Sequence, residues 1–100
     1  MISVKVTYTV KPAFVAQNKT NIKIFLEDFK KLNPSDFTYE VFLCADGITF
    51  LHLSTYRDEA IQKHILNVPS FLSFQKARDE SGLNDSHTFE MLEHIGSSSL

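Results

Sequence analysis

Apolar and polar residues alternate strictly at the start of the chain, where Ile2, Val4, Val6, Tyr8 and Val10 are separated by Ser3, Lys5, Thr7 and Thr9. A period of two puts one set of side chains on one face of an extended backbone and predicts a half-buried strand of about nine residues, ended by Lys11-Pro12. From Val15 the period lengthens. Val15, Ile22, Phe25, Phe29 and Leu32 recur at helical spacing, with Lys19, Lys23, Glu27, Lys30 and Lys31 on the other faces, which predicts an amphipathic helix. Asn33-Pro34 stops it, because a residue before proline is pushed out of the helical region. One member of the stripe is polar: Asn18 is in register with Phe25, and it either faces a cavity or sits exposed in the first turn.

Two apolar runs follow, Phe37 to Cys44 and Ile48 to Thr55, joined by Asp46-Gly47. That dipeptide favours the positive backbone angles of a two-residue type I′ hairpin loop. The register then follows: Ala45 pairs with Ile48, Leu43 with Phe50, Val41 with His52 and Tyr39 with Ser54. One face of the hairpin carries Phe37, Tyr39, Val41, Leu43, Phe50 and His52; the other carries Phe42, Cys44, Leu51 and Leu53. Neither is polar enough to be left in water, so both faces are expected to be covered.

Thr55 and Asp58 have the spacing of a capping box, which predicts a helix from Tyr56 to about Asn67 with Ala60, Ile61, His64, Ile65 and Val68 turned inward. Pro69 interrupts it. Phe71, Phe74, Ala77 and Arg78 then continue at helical spacing to Ser81-Gly82, where glycine can close a helix in the left-handed conformation. Asn84-Asp85-Ser86 reads as a turn before a last strand from His87 to about His94, and residues 96–100 read as a loose tail. Strand, helix, strand, strand, helix, strand is the α+β ferredoxin-like βαββαβ plan: a four-stranded antiparallel sheet with its helices on one face, as a single domain over residues 1–95. The helices hide the side bearing Val4, Val6, Val41 and Phe50. The apolar side bearing Phe42, Leu51 and Leu53 then requires a second copy, and the expected assembly is a two-fold homodimer whose sheets stack into one α/β barrel.

Composition narrows the function. A chain of 100 residues with a net charge of −2, and with Lys30-Lys31 as its only basic pair, has no surface built for nucleic acid or for an anionic membrane. No apolar run approaches the ~18 residues that span a bilayer, and the N-terminus alternates where a signal peptide would be continuously apolar, so a cytoplasmic location is the expectation. A single cysteine, Cys44, permits no internal disulfide and suits a reducing compartment. No phosphate-binding glycine loop and no Ser-His-Asp order occurs, and the four histidines lack metal-ligand spacing. Neither a metal nor a cofactor is expected.

The remaining candidates are buried polar groups among aromatics. His64, on the inner side of its helix, is either a general base titrating near neutral pH or a core histidine bonded to its surroundings. His52, beside Phe50 and opposite Val41, either lines the same cavity or is a structural histidine bonded to a carbonyl or a tyrosine hydroxyl. Tyr8, Tyr39 and Tyr56 can hydrogen-bond to a substrate oxygen, and Phe25, Phe50, Phe71 and Phe74 can wall a pocket for an aromatic ligand or simply fill the core. Together with Asn18 they form the candidate substrate-binding set.

The opening VTYTVKP, the hairpin ending DGITFLHLSTYRDEA and the helix pair EAIQKHILNVPSFLSF resemble the dimeric α/β-barrel proteins related to the antibiotic-biosynthesis monooxygenases, over nearly the whole chain. The resemblance implies a homodimer with one cavity per subunit between sheet and helices. It also implies a cofactor-independent monooxygenase acting on a small aromatic or quinol-like substrate with molecular oxygen; the alternative is a non-catalytic dimeric ligand-binding or structural module of the same fold. The haem-degrading members need a strand asparagine and a helical tryptophan and histidine. This chain has no tryptophan, offers Thr7 and Thr9 on its first strand, and carries Ile65 and Gln75 at the corresponding helical positions, which sets haem degradation aside.

Overall fold

In the computed structural model, which describes residues 1–99 and Asp85 by its backbone alone, the chain runs β1 (Ile2–Val10), α1 (Val15–Phe29), β2 (Phe37–Leu43), β3 (Thr49–Tyr56), α2 (Glu59–Leu66), α3 (Pro69–Ala77) and β4 (Leu83–Leu92). A 3-10 turn, Pro12–Phe14, leads into α1, and a wider π-type turn, Arg78–Gly82, follows α3. The strands form one antiparallel sheet in the order β2-β3-β1-β4. The fold is α+β and ferredoxin-like. No helix of the described residues is long and apolar enough to cross a membrane. The loose tail expected over 96–100 ends at Leu100, which lies outside the described residues.

Alternation places β1 as expected. Val4, Tyr8 and Val10 are buried under the helices, and β1 takes a central position where both edges are paired, by β3 and by β4. The hairpin register is also as the sequence implies, with Leu43 opposite Phe50, Val41 opposite His52 and Tyr39 opposite Ser54. Its loop is longer than expected. The ladder closes with the Cys44 N–H donating to the Thr49 carbonyl at 2.8 Å, leaving a loop of Ala45, Asp46, Gly47 and Ile48 in place of the two-residue turn. The Asp46 carboxylate accepts from the backbone N–H groups of Ile48 at 3.0 Å and Thr49 at 2.9 Å, and such a side-chain bond competes with strand pairing. Ile48 uses its carbonyl elsewhere, accepting from the Val10 N–H at 3.0 Å.

Three further expectations are corrected. Asp58 is the N-cap of α2, accepting from the Ile61 N–H at 2.9 Å, so the helix begins three residues later than a Thr55 cap would place it. Tyr56 is held in the sheet between Ile2 and Phe37, which keeps the strand extended past the expected boundary. The last strand starts at Leu83, and a bulge opposite Thr9 and Val10 absorbs the supposed turn at Asn84-Asp85-Ser86. Gly82 is not left-handed; Gly47, at φ 78°, is the one glycine with positive φ. Gly82 is instead buried against Phe14, whose ring a Cβ would overlap, and its carbonyl accepts from the Lys11 N–H at 2.8 Å.

The core is aromatic. Phe25 of α1 packs against Phe29 at 5.1 Å between centroids, Phe71 at 5.1 Å and Phe74 at 4.9 Å, so the rings lock α1 to α3 above the sheet. On the opposite face Phe42 is 49% exposed while Leu51 and Leu53 are half-buried.

The two glycines should respond differently to substitution. At Gly47 no atom lies near a Cβ, so only the backbone is strained. Gly47→Val should lower stability by about 1–2 kcal/mol, and Gly47→Asn should recover most of it, because asparagine tolerates the left-handed region. At Gly82 the fault is overlap, so Ala and Asn should both cost about 1–3 kcal/mol. Urea midpoints decide it; equal losses for Gly47→Val and Gly47→Asn would contradict the backbone origin.

Candidate functional site

His52 projects from the middle of β3 toward the helices and is 2% exposed. Its cross-strand neighbours are Val6 on β1 and Val41 on β2, and the diagonal positions on the same face carry Tyr8 and Tyr39. Diagonal neighbours lie within reach of long aromatic side chains. Nε2 of His52 is 2.8 Å from the Tyr8 hydroxyl, and Nδ1 is 2.8 Å from the Tyr39 hydroxyl. Asn18, wholly buried on α1, donates through Nδ2 to the Tyr8 hydroxyl at 3.0 Å. The chain Asn18, Tyr8, His52, Tyr39 thus ties α1 to three strands. Phe25 and Phe74 lie over the imidazole at 6.3 and 5.5 Å, and Phe50 stacks on Tyr8 at 5.7 Å.

Burial sets the protonation of this chain. His52 is brought down to about 3, chiefly by desolvation and secondly by the nearby Arg78 and His87, so it is neutral at physiological pH. Burial pushes Tyr8 up to about 12, against the opposing pull of the Asn18 hydrogen bond and the Arg78 charge. Tyr39 is raised well above the ordinary phenol range, and Tyr56 is raised too, both chiefly by burial. Every hydroxyl therefore keeps its proton. Arg78 supplies the local positive charge: buried at the start of the π-type turn, its guanidinium lies 5.1 Å from the centroid of Tyr8 and 5.4 Å from that of Phe74, and its Nε donates to Asp79 at 2.9 Å. Cations over aromatic faces gain attraction when desolvated.

Beside this chain is a cavity of ≈140 Å³ whose walls include Tyr39, His52, Tyr56, Gln75, Arg78 and His87, with Phe89 also lining it. A cavity of about 150 Å³ accommodates benzene, whereas pockets for larger ligands run to about 300–1,000 Å³. One ring fits. His87 is exposed, and desolvation together with Arg78 lowers it below the ordinary histidine value. A larger groove of ≈450 Å³ lies between residues Leu92 to Gly96 and the sheet, but its ionisable walls, Glu40, Glu93 and His94, are exposed. The smaller cavity is the one where polar chemistry is buried.

Of the residues singled out from the sequence, Asn18, Tyr8, His52 and Tyr39 form the hydrogen-bonded chain. Phe25, Phe50 and Phe74 pack around it, and Tyr56 and Phe71 line the cavity. His64 does not join them. In α2, Ile61, Ile65 and Leu66 turn inward, and Ala60 and His64 are exposed; the reading of His64 as an inward base is therefore overturned. Arg78, His87, Gln62 and Gln75 were not singled out as site residues. For Arg78 a signal was present, since it continues the stripe one helical turn after Phe74. Among the described residues no group of three or more His, Cys, Asp or Glu side chains is placed to hold a metal ion, and Cys44 is exposed.

No protein-family model matches the sequence, and no curated protein does. Solved structures do resemble it. One named as an antibiotic biosynthesis monooxygenase superposes with a TM-score of 0.79 at 14% identity, covering 96% of this chain and 100% of that one. Proteins provisionally given the same name from Nitrosomonas europaea (TM-score 0.81, 12% identity, 96% and 100% covered) and Caulobacter crescentus CB15 (0.80, 19%, 95% and 90%) are similar throughout. The chain therefore has the ferredoxin-like α+β fold of proteins named antibiotic biosynthesis monooxygenases, and it resembles that family in architecture.

The buried imidazole makes acid sensitivity a test of this geometry. The unfolded chain binds a proton at His52 near pH 6.5, but the folded chain does so only near 3. The unfolded state thus holds more protons between those values, and stability must fall as pH falls, by up to about 1.4 kcal/mol per unit. Urea titrations at pH 7, 5 and 4 should show a steeper loss for the native chain than for His52→Gln, which does not titrate; parallel losses would contradict a neutral buried imidazole.

Proposed function

We propose that this protein is a cofactor-independent monooxygenase acting on a hydroxylated aromatic or quinol-like substrate of a single ring. The observation that supports it is the buried chain of Asn18, Tyr8, His52 and Tyr39 ending at a one-ring cavity that Arg78 also lines. Arg78 and Tyr39 favour the substrate as its oxyanion, whose electron-rich ring carbon can attack oxygen. A carbon–oxygen bond forms, the oxygen–oxygen bond breaks, and one ring C–H together with the phenolic O–H supplies the hydrogens of the water released, so a phenol leaves as a quinone. All four electrons come from the substrate. His52 has both nitrogens bonded to tyrosines, so its part is to hold Tyr39 and pass protons through it.

Oxygen uptake by the chelator-treated protein tests the reading, with catechol, hydroquinone and pyrogallol as small substrates and 1,4-dihydroxynaphthalene as an oversized one. Small rings should be oxidised in preference, and Tyr39→Phe or His52→Gln should cost roughly 10²–10⁴-fold in rate. No uptake on any substrate would overturn the reading in favour of a non-catalytic ligand-binding module, and uptake lost with chelator would overturn its independence of metal.

We further propose that the chain works as a homodimer, in which a second copy covers Phe42, Leu51, Leu53 and Leu92 on the face away from the helices. Phe42 at 49% and Leu92 at 37% exposure support this, since a stable interface buries more than about 1,000 Å². Sedimentation at micromolar concentration should give a dimer that Leu53→Lys weakens. A native monomer would contradict it.

A further inference from the structure

The direction of a hydrogen-bond chain is decided at the end with the fewest options. Here that end is Asn18, which is wholly buried, donates from Nδ2 to the Tyr8 hydroxyl at 3.0 Å and has no partner at Oδ1 among the described residues. Turning the amide over would satisfy Oδ1 but strand both Nδ2 hydrogens in the core, and buried N–H groups without acceptors are rarer than under-used carbonyls. With Asn18 donating, the Tyr8 hydroxyl has one acceptor left for its own proton, Nε2 of His52 at 2.8 Å. A neutral imidazole that accepts at Nε2 carries its hydrogen on Nδ1. That hydrogen points at the Tyr39 oxygen, 2.8 Å away. The Tyr39 O–H is then unspent, and Tyr39 and Arg78 both stand on the cavity wall.

We propose that Asn18 is a positioning residue that sets His52 as its Nδ1–H tautomer. Tyr39 and Arg78 then meet a ligand as donors only, and the site selects an acceptor oxygen, a phenolate, enolate or carboxylate, over the matching alcohol. This rests on the preceding reading of the cavity as the ligand site, not on oxidation. Burial and the neighbouring Arg78 keep the imidazole uncharged near neutral pH, so it has one hydrogen to place. Gln62 and Gln75 on the same wall can donate or accept and add no preference.

Nitrogen-15 NMR of the labelled chain at pH 7.5 reads the tautomer directly. The native protein should show His52 protonated at Nδ1 and bare at Nε2; a dominant Nε2–H form would overturn the inference with no variant needed. In Asn18→Asp, once the carboxylate is ionised it can only accept, so the Tyr8 proton should turn toward it and His52 should switch to Nε2–H. A folded Asn18→Asp whose carboxylate is ionised, as carbon-13 shifts report at raised pH, and whose tautomer is unchanged would contradict the role given to Asn18. Benzoate should bind the native chain at least about tenfold more tightly than benzyl alcohol, and Tyr39→Phe should lose about tenfold in benzoate affinity; equal binding of the two probes would overturn the selectivity. Oxygen uptake is a separate readout. Its absence, with the tautomer and the benzoate preference intact, would remove the oxygenase reading and leave this inference supported.

Discussion

A buried imidazole must have partners at both nitrogens, because a polar group taken out of water without a hydrogen bond costs about 1–3 kcal/mol. In this chain that requirement organises the helix-facing side of the sheet. Tyr8 reaches Nε2 only because β1 pairs with β3 so that Val6 faces His52, and Tyr39 reaches Nδ1 only because β2 pairs so that Val41 does. A slip of one residue in either pairing would turn the tyrosine to the opposite face. Asn18 extends the constraint to α1, which must sit with its first turns over Tyr8.

The phenylalanines divide the space around this chain into a filled half and an open half. Toward α1, Phe25, Phe29, Phe71 and Phe74 contact one another closely and fill the space between the helices and the sheet. Toward β4, α2 is only eight residues long and contributes Gln62 and Leu66 to the wall. The remaining volume collects there, next to Arg78 at the π-type turn and to His87 on β4. The exposed Phe89 lines this same side, opposite Val6 on β1. A plug and a pocket are thus both built from the same residue type, and Phe71 of α3 belongs to both.

Much of this arrangement is legible in the sequence because periodicity is a local property. The alternation of Ile2 to Val10, the stripe from Val15 to Phe29 with Asn18 in register, and the pairing implied by Asp46-Gly47 together bring Asn18, Tyr8, His52 and Tyr39 to one side of one sheet. What failed depended on neighbours distant in the chain. Thr55 and Asp58 have capping-box spacing, but Tyr56 is captured by Ile2 and Phe37 from two other strands, so Asp58 caps the helix; which flank of the Ile61 and Ile65 stripe faces the sheet is set by packing, and it leaves His64 in solvent. Gly82 reads as a helix terminator until Phe14 is seen against it. Arg78 continues the helical stripe of Phe71 and Phe74, but no local pattern reveals that Tyr8 and Phe74 will lie beneath its guanidinium. Cavity volume has no sequence signature, since the same nine phenylalanines could have closed it.

The joint role of the hydroxyl chain and Arg78 depends on a ligand entering the space beside His52. Titrating the labelled protein with resorcinol, a ring of suitable size, and following amide and side-chain shifts reads that entry. Saturable changes should concentrate at Tyr39, His52, Gln75, Arg78 and His87. Changes confined to the outer cleft lined by Leu26, Leu32, Pro34 and Phe37, or none at millimolar ligand, would contradict it.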